Sequence, residues 1–147
     1  MHFISLDFVG YWPEVNKKMV PAESGVYLVY VCQYNAVTNH VTLEKLIYIG
    51  EADDARAQIS TPEKLAEWRK EAPEGSQLCF SFAGITGPDR ERAKCALIYH
   101  HKPECNEECK DSFPFETTII QSAGQCNLLT SMIRVEQNLK KPKDQTK

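Results

Sequence analysis

The feature that most limits how this chain can fold is the run Val26 to Cys32, VYLVYVC, in which every residue is apolar. Its valines and tyrosines favour extended backbone. A strand that is apolar on both faces has to be covered on both faces. The run is far too short to cross a bilayer. It ends in the polar segment NAVTNH (Asn35 to His40), and VTLEKLIYIG (Val41 to Gly50) then reads as a strand returning antiparallel to it. A long, doubly covered hairpin is therefore the expected centre of the fold.

The remaining pattern supplies the cover. DDARAQI (Asp53 to Ile59) begins a helix with Asp53 or Asp54 near its start. STPEKLAEWRKEA (Ser60 to Ala72) offers Ser60 or Thr61 as a cap and Pro62 as a first-turn residue. These pieces form one kinked helix or two short ones, because a proline interrupts a continuous helix. SQLCFSFAGI (Ser76 to Ile85) alternates Leu78, Phe80 and Phe82 on one face and reads as a third strand. GPDRERAKCALIYHHKP (Gly87 to Pro103) is the clearest helix, with Pro88, Asp89 and Glu91 in its first turn and Lys102–Pro103 at its close. TTIIQS (Thr117 to Ser122) and LLTSMIRVEQ (Leu128 to Gln137) read as further strands. The expected class is α+β: one domain with a mostly antiparallel central sheet flanked by helices, and extra C-terminal strands.

Charge and cysteine content narrow the functional classes. The net charge is −3 and the sequence pI about 5.8, whereas a dedicated nucleic-acid coat is basic. A local basic groove remains compatible with that balance. The opening MHFISLDFVGYWPEV has no basic region followed by an apolar segment and a cleavage site. No secretion signal is therefore expected, the cytoplasm is the expected location, and no membrane partner is implied. In that compartment the six cysteines are expected as free thiols.

Three short motifs fall on these elements in order: GVY (Gly25 to Tyr27) on the first strand of the hairpin, YIG (Tyr48 to Gly50) on the second, and KPECN (Lys102 to Asn106) after the long helix. Together they resemble the GIY-YIG nuclease superfamily, over roughly Ser24 to Asn106. ALIYHHKPECN followed by FPFETTIIQSAG looks like a small bacterial or phage subgroup of stand-alone members. The resemblance implies hydrolysis of a phosphodiester bond. In that chemistry a tyrosine helps activate the nucleophile, an arginine on the first helix steadies the phosphate, and a glutamate on a later helix holds one divalent metal. The charge that gathers on a pentacovalent phosphate is what the metal and the arginine offset.

Carried onto this chain, the resemblance gives Tyr27 and Tyr48 as the two tyrosines and Gly50 as a close backbone approach. The arginine position falls on Gln58. Arg56 lies two residues earlier, about 200° away around a helix, and reaches the role only through a local shift. The glutamate position falls on Lys94, and an ammonium has no lone pair for magnesium. Glu91, one turn earlier, is the substitute ligand if the metal moves by about 5 Å. Asn106 is expected to order its loop. Arg56, Arg90 and Lys102, with Gly50, are the candidate nucleic-acid contacts.

The expected organisation is an N-terminal extension packing on the domain (1–23), a GIY-YIG-like core (24–110), a C-terminal strand extension (111–137) and a polar tail (138–147). The expected function is that of an endonuclease-like protein, impaired or inactive in cutting, that binds DNA through the ancestral site and needs no cofactor. Two alternatives stay open. One is an active Mg²⁺-dependent endonuclease using Arg56 and Glu91; the other is a protein-interaction module without nucleic-acid contact.

Overall fold

The computed structural model describes residues 1–139, and the expected polar tail from residue 140 onward lies outside them. The apolar run is strand β2 (Gly25–Asn35), whose first eight residues are all buried. It pairs antiparallel with β3 (His40–Ala52) on one side and β4 (Gln77–Gly84) on the other. With β1 (His2–Pro13), β5 (Thr118–Gly124) and β6 (Met132–Val135) these make a six-stranded sheet in the order β3-β2-β4-β1-β5-β6. All of its pairs are antiparallel except β1 with β5.

The helices cover both faces of the hairpin. Helix α3 (Pro88–His101) buries Ala93 to Ile98 in a core with Val26, Leu28 and Tyr30 of β2 and Ile4, Leu6 and Phe8 of β1. On the opposite face, α1 (Ala55–Ile59) and α2 (Pro62–Arg69) close over Tyr27, Val29, Val31, Ile47 and Phe80. The alternation of β2 residues between these two cores is the period of two that a strand imposes. Pro62 does split the helical region in two: Asp54 caps α1 by accepting from the Ala57 amide at 3.0 Å, and Pro62 occupies the first turn of α2.

Two expectations need revising. Residues 1–23 join the domain by entering the sheet, since β1 is an inner strand between β4 and β5. The physical reason lies in HFISLDFV, where Ile4, Leu6 and Phe8 are buried on one face while Phe3, Ser5 and Asp7 point away. The free-thiol expectation holds for Cys32, Cys79, Cys105 and Cys126, but Cys95 on α3 is bonded to Cys109 in the loop that follows, with Cα atoms 5.4 Å apart. Among the described residues no helix is long and apolar enough to cross a membrane.

The C-terminal strands are tied on by two tyrosines. Tyr30 donates to the Asn127 carbonyl at 2.7 Å, and the Asn127 amide donates to the Tyr11 hydroxyl at 2.9 Å. At the end of α3 the His101 Nε2 accepts from the Thr130 amide at 3.3 Å. Burial, aided by the neighbouring His100, pushes the His101 pKa down to about 4. The unfolded imidazole takes a proton near 6.5 while the folded one resists to about 4. Stability is therefore full above pH 6.5, falls between pH 6.5 and 4, and levels off below. A His101→Gln variant should show a flatter stability profile than the native chain across that window, read as the difference between two sets of urea midpoints.

Candidate functional site

The site is built outward from the β2–β3 register. Tyr27 stands opposite Gly50, and Val29 opposite Tyr48. The next pair is Tyr30 with Leu46, so Ile47 is an extra residue on β3 and forms a bulge beside Tyr48. The bulge lets Ile47 and Tyr48 both serve the core on the α1–α2 face. Both motif glycines are required by space. A Cβ on Gly50 would sit 2.3 Å from Cζ of Tyr27, and one on Gly25 would sit 2.2 Å from the Ala83 carbonyl oxygen. The Tyr27 ring thus lies flat across the Gly50 backbone.

An aromatic wall continues from there. The Tyr27 and Tyr48 rings are 6.1 Å apart between centroids, and Trp68 of α2 lies 5.2 Å from Tyr48 and 6.3 Å from Phe80. Trp68 is fully buried, so it packs as core rather than offering a face for stacking. Helix α1 is fixed from outside by the segment before β2: the Ala55 amide donates to the Glu23 carbonyl, and Arg56 Nε donates to the Val20 carbonyl at 2.7 Å. This orientation leaves the Gln58 side chain and the Tyr48 hydroxyl as close polar neighbours of the Tyr27 phenol. Burial foremost, then the proximity of Tyr48 and Glu51, holds the Tyr27 pKa well above the usual phenol range. Near neutral pH Tyr27 is a proton donor and not a base.

The loop after α3 closes the other side. Asn106 accepts from the Ile49 amide through Oδ1 and donates to the Ile49 carbonyl through Nδ2, each at 2.9 Å. The Cys105 amide donates to the Ile47 carbonyl at 2.9 Å. Asn106 thus fixes this loop against the outer edge of β3. Beside this clasp lies a shallow groove of about 320 Å³ lined by Tyr48, Lys64, Glu67, Cys105, Asn106, Glu107 and Glu108. Lys64 Nζ lies 3.4 Å from the Tyr48 hydroxyl and 5.2 Å from its ring centroid.

The sequence-derived candidates separate into two groups. Tyr27, Tyr48, Gly50, Gln58 and Asn106 come together. Lys94 is nearly buried and reaches the groove only through its ion pair with Glu108, which lines it. Arg56 is turned onto Val20, away from the tyrosines. Arg90 is held by Glu51, Asp53 and the Ser24 hydroxyl. Lys102 lies over the Tyr99 ring at 4.2 Å and donates to the Lys110 carbonyl. Glu91 is exposed on α3 and does not line the groove, and among the described residues no group of three or more His, Cys, Asp or Glu is arranged to hold a metal. Sequence reasoning missed Lys64 and Glu108. The signals were available: Lys64 is four residues from Trp68, hence on the same face of α2, and the Lys94–Glu108 spacing equals that of Cys95–Cys109.

No protein-family model, curated protein or solved structure matches this chain.

Two substitutions test this construction. Gly50→Ala forces the fully buried Tyr27 ring to move and should cost about 1–3 kcal/mol. Asn106→Ala removes both bonds to Ile49 and should cost about 2 kcal/mol. Urea unfolding of each variant measures both.

Proposed function

We propose that this chain is a GIY-YIG-like domain that binds a partner without hydrolysing phosphodiesters. The observation that supports this reading most is the Lys94–Glu108 ion pair, which stands where the resemblance calls for a metal-holding carboxylate. A neutral amide, Gln58, meets Tyr27 where the resemblance calls for a guanidinium. Removing one transition-state stabiliser commonly lowers kcat by about 10²–10³. Here two roles are unfilled, and the buried Tyr27 phenol keeps its proton.

For the partner, the charge arrangement favours protein over nucleic acid. Among the described residues, Glu67, Glu107 and Glu108 line the groove against the single cation Lys64. Arg90 and Lys102 are occupied by other groups, and Arg56 points elsewhere. A phosphate backbone approaching Tyr48 meets net negative charge.

Incubation with plasmid and branched DNA in Mg²⁺ or Mn²⁺ should give no cleavage, and titration with duplex DNA at low salt should give no salt-dependent binding. Native cleavage lost in Tyr27→Phe would reject the non-cutting reading. Tight binding that weakens steeply with salt would return the partner to nucleic acid. The double variant Gln58→Arg with Lys94→Glu should gain metal-dependent nicking, because it restores the guanidinium and places two carboxylates, at 94 and 108, beside the groove. Absence of any gain would mean that the motif register on α1 or α3 is wrong.

A further inference from the structure

Two rungs of equal spacing join α3 to the chain after it. Lys94 is ion-paired to Glu108 and Cys95 is bonded to Cys109, both fourteen residues apart. The closed loop carries Cys105 and Asn106, bonded to β3, and Glu107 and Glu108, which line the groove beside Tyr48. The covalent rung and the ionic rung are adjacent, so the first positions the second.

We propose that the Cys95–Cys109 bond is a thiol-exchange site through which a dithiol reductant releases Lys94 from Glu108 and so changes the charge presented by the groove. This inference does not depend on the fold resemblance or on the binding partner. Three observations carry it. Cys109 is the partly exposed partner, whereas Cys95 is almost fully buried on α3, so an incoming thiolate meets the Cys109 sulfur first. Cys109 holds a left-handed backbone, φ 65°, which few residues bearing a Cβ adopt and which the covalent bond helps to hold. Finally, the Glu108 side chain is 65% exposed, and so exposed an acid holds a lysine weakly unless something else keeps the two together.

The exchange balances as follows. A thiolate of the dithiol attacks Cys109 Sγ, forming a mixed disulfide and breaking the bond to Cys95. The Cys95 sulfur leaves as a thiolate and takes a proton. The second thiol of the reductant then attacks its own sulfur in the mixed disulfide and expels the Cys109 thiolate, which is also protonated. The protein disulfide gains two electrons and the dithiol loses two, becoming a cyclic disulfide. Cys105, in the same loop, does not compete as a nucleophile. Burial and the nearby Glu71 and Glu67 push its thiol up to about 11, leaving it protonated at neutral pH.

The test is amine footprinting of the full chain with an acylating ester, Lys94 being quantified by peptide mass spectrometry. Protein equilibrated with glutathione disulfide is compared with the same protein after dithiothreitol; alkylation under denaturing conditions reports the bond, and circular dichroism reports the fold. Reduction should raise Lys94 acylation several-fold while that of Lys64 stays constant. Glu108→Gln should raise it with the bond intact, and Cys109→Ser should raise it irrespective of reductant. Should Cys109→Ser fail to fold, the native comparison and Glu108→Gln decide. Three results would overturn the proposal: a bond that does not form under glutathione disulfide, a cleaved bond with unchanged Lys94 acylation, or loss of the fold on reduction.

Discussion

The contact on which the rest depends is the Tyr27 ring lying across Gly50. It admits one register of β2 against β3, because any side chain at position 50 would occupy the space of the ring. A slip of one residue would turn every side chain of the hairpin to the opposite face and exchange the two cores. With the register held, Tyr48 falls on the same face as Tyr27, the bulge at Ile47 aims it toward Trp68, and α1 brings Gln58 to the phenol. Geometry that resembles a nuclease frame is thus also the packing that holds the sheet and its α1–α2 cover together. Tyr27, Tyr48 and Gly50 thus serve packing whether or not the groove has a chemical role.

The charged groups follow a different logic. Among the described residues, the basic residues near the frame are held by an acid, an aromatic ring or a backbone carbonyl close to them: Arg90 by Glu51 and Asp53, Lys94 by Glu108, Arg92 over Phe115, Lys102 over Tyr99, Arg56 on Val20. Cations arranged to meet a polyanion leave part of their valence turned outward. Here the valence is turned inward, and the groove beside Tyr48 is left with an excess of carboxylates. That pattern, together with the acidic balance of the whole chain, is what favours a protein partner over nucleic acid in the proposed reading.

How far the chain explains itself from sequence depends on the range of the interaction. The β2–β3 hairpin, the split at Pro62, α3 and the two C-terminal strands were legible, because each is written in a local period or a local breaker. Inner strand β1 was not assigned, although Ile4, Leu6 and Phe8 alternate cleanly. Alternation says only that one face is buried, and which strands β1 joins is decided by β4 and β5, which lie far along the chain. The meeting of Tyr27, Tyr48, Gln58 and Asn106 was legible through the motifs. The partner of Lys94 was not: Glu108 sits in an irregular loop whose path depends on a cysteine pair, and pairing among six cysteines cannot be read from spacing alone.

The Asn106 clasp has a consequence for how copies of this chain behave in company. Strand β3 ends the sheet on one side, and an uncovered sheet margin is a template onto which another extended chain can add itself. Through Cys105 and Asn106 the loop after α3 occupies the Ile47 carbonyl and both backbone polar groups of Ile49, which such a chain would seek. The clasp therefore leaves fewer free ladder groups on this margin for a further strand, and the same few atoms that shape the wall of the groove also blunt the edge of the sheet.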